Sequence, residues 1–276
     1  MGAQRNANVR KLARRSRTIR RGRSLLAASK RPFRRGVGRA LENRALPYVA
    51  DMGGDSRTLL VAFGGLQGEL GMPVFEFFKS TRDIPVKRLF VRDLRQSWYH
   101  GGLSGEDATL ADATDALRAL VAREGVERLV TVGNSAGGYA ALVFGTLLGA
   151  DTVLAFSPQT VLDLDEWNEL NDRRWEKQLR PLVESNMLDA GWTDLRSALP
   201  RARQAHTRYE IFFDETHRLD RLHAERLVGV DGARLYRFGR GGHMVSLSLR
   251  RSGGLDRLLR RALWQAPAAS SLAVSA

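Results

Sequence analysis

Between residues 58 and 238, short apolar runs rich in β-formers alternate with longer stretches of helical spacing, and this alternation narrows the fold more than any other feature. TLLVAF (58–63), VKRLFVRD (86–93), RLVTVG (128–133), DTVLAF (151–156), YEIFF (209–213) and ARLYRF (233–238) read as strands. Several are almost unbroken in apolar residues, as expected of parallel strands covered on both faces. ALPYVA (45–50) is a further edge-strand candidate. The spacing predicts helices over 106–125, 136–149, 220–228 and 253–264, the first two stopping at Gly125 and Gly149. Asp220 is placed as the N-cap of the third. Such alternation argues for an α/β fold with a mostly parallel, doubly wound sheet and helices on both faces. The charged stretch 160–200, carrying Trp167, Trp175 and Trp192, is too long for a simple connection and is expected to form a small cap.

Composition separates an arm from a body. Of 276 residues, 43% are hydrophobic and 27% charged, a globular and soluble balance. No apolar run approaches the roughly 20 residues that span a bilayer. Without cysteine, the chain has no disulfide, thiolate nucleophile or Cys-based metal site, which fits a reducing compartment. The net charge of +14 is local. Residues 1–44 hold 15 of the 44 Lys/Arg and one of the 30 acids, Glu42, which leaves 29 residues of each sign in the remainder. Residues 1–44 therefore read as a basic, unstructured arm, and 45–264 as one folded domain. Residues 265–276 read as a loose tail.

Two readings of the arm stay open: attraction to an anionic surface (membrane or polyanion), or a solubilising extension. Near an anionic leaflet each Lys/Arg contributes about 1 kcal/mol. The LLAA patch at 25–28 is too short for a secretory apolar region of about 7–15 residues. An Arg- and Ser-containing, acid-poor start also fits a mitochondrial transit peptide, as a lesser alternative to a cytoplasmic protein held peripherally at a membrane. The arm has no aromatic interleaving and no nucleic-acid-binding motif, so sequence-specific nucleic-acid binding is not expected.

The chemistry concentrates at VTVGNSAGG, where Gly133-Asn134-Ser135-Ala136-Gly137 has the pattern GxSxG. By itself the pattern also fits a Gly-rich helix entry or a phosphate-binding turn. Its setting, after a strand and at the start of a helix, is the one a nucleophile elbow requires. There the serine backbone is strained and its Oγ is projected outward, next to a helix N-terminus that favours developing negative charge.

On these residues the chain resembles the α/β-hydrolase superfamily, in its serine esterase and lipase branch, over most of residues 58–264. The resemblance implies the chain order Ser, acid, His. Ser135 would be the nucleophile. His243, in RFGRGGHMVS after the last strand and before the final helix, would be the base. The acid is expected from FFDETHRLD, with Asp214 and Asp220 both open, and with Asp163 and Asp165 as distant rivals. The oxyanion hole would combine the N–H of Ala136 with that of Gly65 or Leu66 from FGGLQGELGMP (63–73). In RDLRQSWYHGG (92–102), Trp98, Tyr99 and His100 are expected on the substrate side, at the pocket mouth or packed on the cap. No metal or organic cofactor is implied. The expected activity is hydrolysis of a small-molecule or lipid-like ester. The alternatives are acyl transfer at the same site, or a non-catalytic hydrolase-like module tethered by its arm.

Overall fold

The structure, a computed structural model, describes residues 36–66, 75–103, 105 and 108–264. The arm as far as residue 35, residues 67–74 of the Gly-rich loop and the tail 265–276 lie outside the described residues.

In chain order the elements begin with α1 (Gly36–Glu42), β1 (Tyr48–Asp51), β2 (Thr58–Phe63), α2 (Phe75–Thr81), β3 (Lys87–Val91) and α3 (Leu110–Arg123). They continue with β4 (Arg128–Asn134), α4 (Ala136–Leu147), β5 (Thr152–Phe156), α5 (Leu164–Leu170), α6 (Glu176–Glu184) and α7 (Leu195–Ala202). The last are β6 (Arg208–Asp214), α8 (Arg218–Glu225), β7 (Ala233–Phe238), a 3₁₀ turn at Gly242–Met244, α9 (Val245–Arg251) and α10 (Gly254–Trp264).

The strands form one sheet in the order β1-β3-β2-β4-β5-β6-β7. β1 runs antiparallel to β3, with Tyr48 opposite Val91, and every other pairing is parallel. The central strands are buried along their whole length, so their side chains divide by the two-residue period between two cores. Leu59, Val61 and Phe63 point to one face, which α3, α4 and the segment 157–207 cover. Leu60 and Ala62 point to the other, packed against α1, α2, α9 and α10. Edge strand β7 is only partly covered.

Helix ends follow local chemistry. Thr109 caps α3 by accepting from the Asp112 N–H, and Asp112 reaches back to the Thr109 N–H, a reciprocal capping box. Gly125 and Gly149 adopt positive φ after α3 and α4, where the sequence places the stops. One cap differs from expectation: α8 starts at Arg218 with His217 as its N-cap, whose Nδ1 accepts from the Asp220 N–H. Asp220 lies inside the helix, with its carboxylate released for another partner.

The arm boundary also moves. Residues 36–44 do not behave as arm, because Val37 and Leu41 of α1 are buried in the core beneath the sheet. The Arg92 guanidinium donates to the carbonyls of Leu41, Asn43 and Leu46, fixing that segment to the end of β3. In the segment 157–207, Trp167 and Trp175 are buried in the same core as α3 and α4, and Trp192 is half-buried against it. No helix among the described residues is long and apolar enough to cross a membrane.

Candidate active site

Ser135 stands in the turn between β4 and α4 with φ 56° and ψ −122°. A residue with a Cβ rarely adopts that backbone, and when one does the surrounding structure must hold it there. Two glycines make the turn possible: a Cβ on Gly133 would collide with the Gly137 carbonyl, and one on Gly137 with the Phe63 carbonyl. The Ser135 N–H donates to the Phe156 carbonyl at 2.9 Å, tying the turn to the end of β5. Ala136 is the first residue of α4, where an N–H has no intrahelical acceptor. Gly65, after β2, lies against the carbonyl of Asn134, so the loop start and the turn meet at the same sheet end. Leu66 is buried in the core beside them.

His243 sits in the 3₁₀ turn after β7. Its Nδ1 is 2.8 Å from each carboxylate oxygen of Asp220. That contact fixes the tautomer: Nδ1–H donates to the carboxylate, and Nε2 carries the lone pair. Nε2 is buried and has no hydrogen-bond partner among the described residues. Asp214 is used differently. One of its oxygens accepts from the Thr216 N–H (2.9 Å) and hydroxyl (2.7 Å), and the other from the Gly242 N–H (2.7 Å). Asp214 thus clamps the loop bearing His243, while Asp220 touches the imidazole. Asp163 caps α5 by accepting from the Asp165 and Glu166 N–H groups, away from His243. Ser246, in α9, donates to Asn134 Oδ1 at 2.8 Å and anchors the histidine segment beside the serine turn.

A chain of charges runs behind the histidine. Arg174 donates to Asp220 at 2.7 Å and, through Nε and Nη2, to both oxygens of Asp172. Asp172 is fully buried and also receives the Nε2–H of His223, whose Nδ1 accepts from the Thr160 N–H. Burial acts to raise the Asp220 carboxyl, but His243 and Arg174 outweigh it and hold the group below its ordinary range. The same balance, set by His223 and Arg174, keeps Asp172 well below its usual value. Burial lowers His223 despite its contact with Asp172, so it is a neutral donor.

Ser135 Oγ is engaged from another side. Gln159, three residues beyond β5, donates its Nε2–H to Oγ at 3.0 Å, and its Oε1 accepts from Trp98 Nε1 at 3.3 Å. Trp98 therefore reaches the site through Gln159. Its two neighbours are enclosed and bond elsewhere. Tyr99 is fully buried and its hydroxyl donates to the backbone of the β2–β3 end, at the Gly64 and Val91 carbonyls. His100 is equally enclosed, with Nδ1 accepting from the Asp189 N–H (2.8 Å) and Nε2–H donating to the Tyr139 hydroxyl (2.7 Å). Through these two bonds it ties Asp189 to Tyr139 of α4. Burial pushes its pKa down to about 4.

Gln159, Arg174, Asp172, His223 and Ser246 escape a reading of the sequence. Gln159 alone carries a signal, since it follows a strand at the carboxyl edge where open α/β sheets collect ligand-binding groups. Among the described residues, no group of three or more His, Asp or Glu side chains is placed to hold a metal ion.

No family model matches the chain, and no curated protein matches it in sequence. Solved structures do match in shape. The capsule O-acetyltransferase of Neisseria meningitidis serogroup A is 12% identical with a TM-score of 0.55, covering 76% of this chain and 90% of that one. A putative esterase from Staphylococcus aureus is 14% identical with a TM-score of 0.51, covering 76% and 77%. A lipase-esterase related protein from Clostridium acetobutylicum is 18% identical with a TM-score of 0.50, covering 77% and 98%. At these identities the likeness is one of fold.

Proposed function

Because the chain has an α/β-hydrolase fold, we propose that it is a serine hydrolase cleaving an ester-type acyl bond at Ser135. The observation that carries this reading is the Asp220–His243 pair, which leaves Nε2 as a base without a partner among the described residues, on a segment that Ser246 ties to Asn134, next to Ser135 on its strained strand-to-helix turn. In the proposed reaction Ser135 Oγ attacks the acyl carbonyl as His243 Nε2 takes its proton. Asp220 holds the imidazolium that forms. The tetrahedral oxyanion is met by the N–H of Ala136 and that of Gly65 or Leu66. His243 then passes the proton to the leaving alkoxide, and a water repeats the sequence to release the acid and restore Ser135.

A second reading, transfer of the acyl group to an acceptor hydroxyl, draws support from the enclosure of the site. Ser135 is only 4% exposed and the His243 Nε2 is closed to solvent, conditions that protect an acyl-enzyme from water. The basic arm would bring either activity to an anionic surface.

Fluorophosphonate labelling mapped by mass spectrometry tests the site. Ser135 should be modified in the wild type, and the modification should collapse in His243→Ala. A wild type that stays unmodified while folded would leave the non-catalytic module in place of the enzyme. Product analysis of a labelling-competent protein, with and without candidate acceptor alcohols, separates hydrolysis from transfer.

A further inference from the structure

We propose that Gln159 is a further catalytic residue of this site, its side-chain amide stabilising the charge that Ser135 Oγ carries while it is neither a hydroxyl nor an ester oxygen. The inference rests on the reading of Ser135 as a nucleophile. Gln159 is 1% exposed, and both ends of its amide are committed. Trp98 Nε1–H can only donate, so it holds the amide oxygen, and this turns the NH₂ group onto Ser135 Oγ at 3.0 Å. The next residue pins the backbone: the Thr160 N–H donates to His223 Nδ1 and its hydroxyl to the His223 carbonyl at 2.8 Å. Gln159 is thereby a fixed donor and not a side chain that happens to reach the serine.

A hydroxyl that accepts from Gln159 still has its own proton to place. His243 Nε2 is a buried acceptor with no partner among the described residues. As that proton moves to Nε2, the Oγ–H bond breaks, the Oγ–carbonyl bond forms, and the carbonyl pair moves onto the oxygen that becomes the oxyanion. Oγ is most negative before the new bond is complete, and again in deacylation when the Oγ–carbon bond breaks and Oγ recovers its proton from His243. An ester oxygen is a poor acceptor by comparison. The Gln159 bond is therefore stronger in the acylation transition state than to the resting hydroxyl, and stronger in deacylation than to the acyl-enzyme oxygen, the condition under which a contact accelerates a reaction. The network also explains the buried charges behind it. Gln159 and His243 stand on different elements, and the run Thr160–His223–Asp172–Arg174–Asp220 joins them into one frame.

The test compares wild type, Gln159→Met and Trp98→Phe by stopped-flow burst kinetics on a p-nitrophenyl ester and by the rate of fluorophosphonate labelling. Methionine keeps the length and removes the donor; phenylalanine keeps the donor and removes its anchor. Gln159→Met should slow labelling, acylation and deacylation, each by about 10² as for a lost oxyanion donor. Trp98→Phe should give a smaller loss, and the double variant should match Gln159→Met. If Gln159→Met fails to fold, Trp98→Phe alone decides through the same rates. Losses under about tenfold in a folded Gln159→Met, with wild type reactive, would overturn the role of Gln159 and leave the serine reading intact. An unreactive wild type would overturn both.

Discussion

Asp214 and Asp220 lie six residues apart, and the sequence offers each as the acid. What separates them is which backbone donors each one meets. Asp214 ends β6 and spends its oxygens on Thr216 and Gly242, so its work is to shape the loop. Asp220 reads as an N-cap because aspartate is preferred there; a histidine, outside the usual capping set, takes the cap instead and leaves the Asp220 carboxylate to His243. The two carboxylates should fail differently on substitution. Asp220→Asn should lower kcat by about 10⁴ with little change in the urea midpoint, because Arg174 keeps Asp172. Asp214→Ala should lose about 1–3 kcal/mol of stability with a much smaller fall in kcat. Equal kcat losses would show that the loop, and not the carboxylate on Nδ1, governs the rate. His100 makes a separate prediction about pH. The unfolded chain takes up a proton at this residue near the ordinary value of about 6.5, whereas the folded protein resists until about 4. The stabilisation is complete above the unfolded value and is lost as pH falls toward the folded one, by up to about 3 kcal/mol. His100→Asn keeps an acceptor for the Asp189 N–H and removes the titration. Its unfolding free energy should fall less steeply than that of wild type between pH 6.5 and 4.5; parallel slopes would assign the pH dependence to other groups.

At the level of elements, long and strongly patterned segments were legible and short ones were not. The strand over 58–63 falls where its apolar run places it, because a parallel strand covered on both faces leaves an almost continuous signature. The antiparallel edge strand is shifted to Tyr48–Asp51, since its pairing with β3, and not its own composition, sets the limits. α2 and α9 have seven residues each, too few to show a period, and they are helices because the sheet face beneath them needs Phe77 and Val245. The GxSxG turn was readable because its requirement is steric and local: two positions where only hydrogen fits, bracketing one strained residue. Arg174 and Asp172 were unreadable for the opposite reason. Each owes its place to contacts across 46 to 51 residues of chain, and nothing in the neighbouring sequence records them.

For the molecule as a whole, charge and core give different borders, and the difference decides how the arm should be tested. All the excess charge lies within residues 1–44, but the folded body begins by residue 36, where α1 starts. The first 35 residues hold 13 of the 15 basic side chains of that segment. The other nine residues supply Val37 and Leu41, which are 3% and 0% exposed, and carbonyls for the buried guanidinium of Arg92. Burial of two aliphatic side chains contributes about 3–6 kcal/mol, a large fraction of the stability of a typical domain. A protein lacking residues 1–35 should therefore melt with the full chain and turn over a soluble ester at the full rate. It should also lose any salt-dependent binding to vesicles rich in anionic lipid, since about 1 kcal/mol per basic residue near the surface goes with the arm. A protein lacking residues 1–44 should melt many degrees lower and lose activity for want of a core. Comparing the two cuts separates recruitment from folding, which a single cut at the charge border would confuse. Vesicle binding that survives the shorter truncation would place the anionic contact on the body and remove the arm from the proposal.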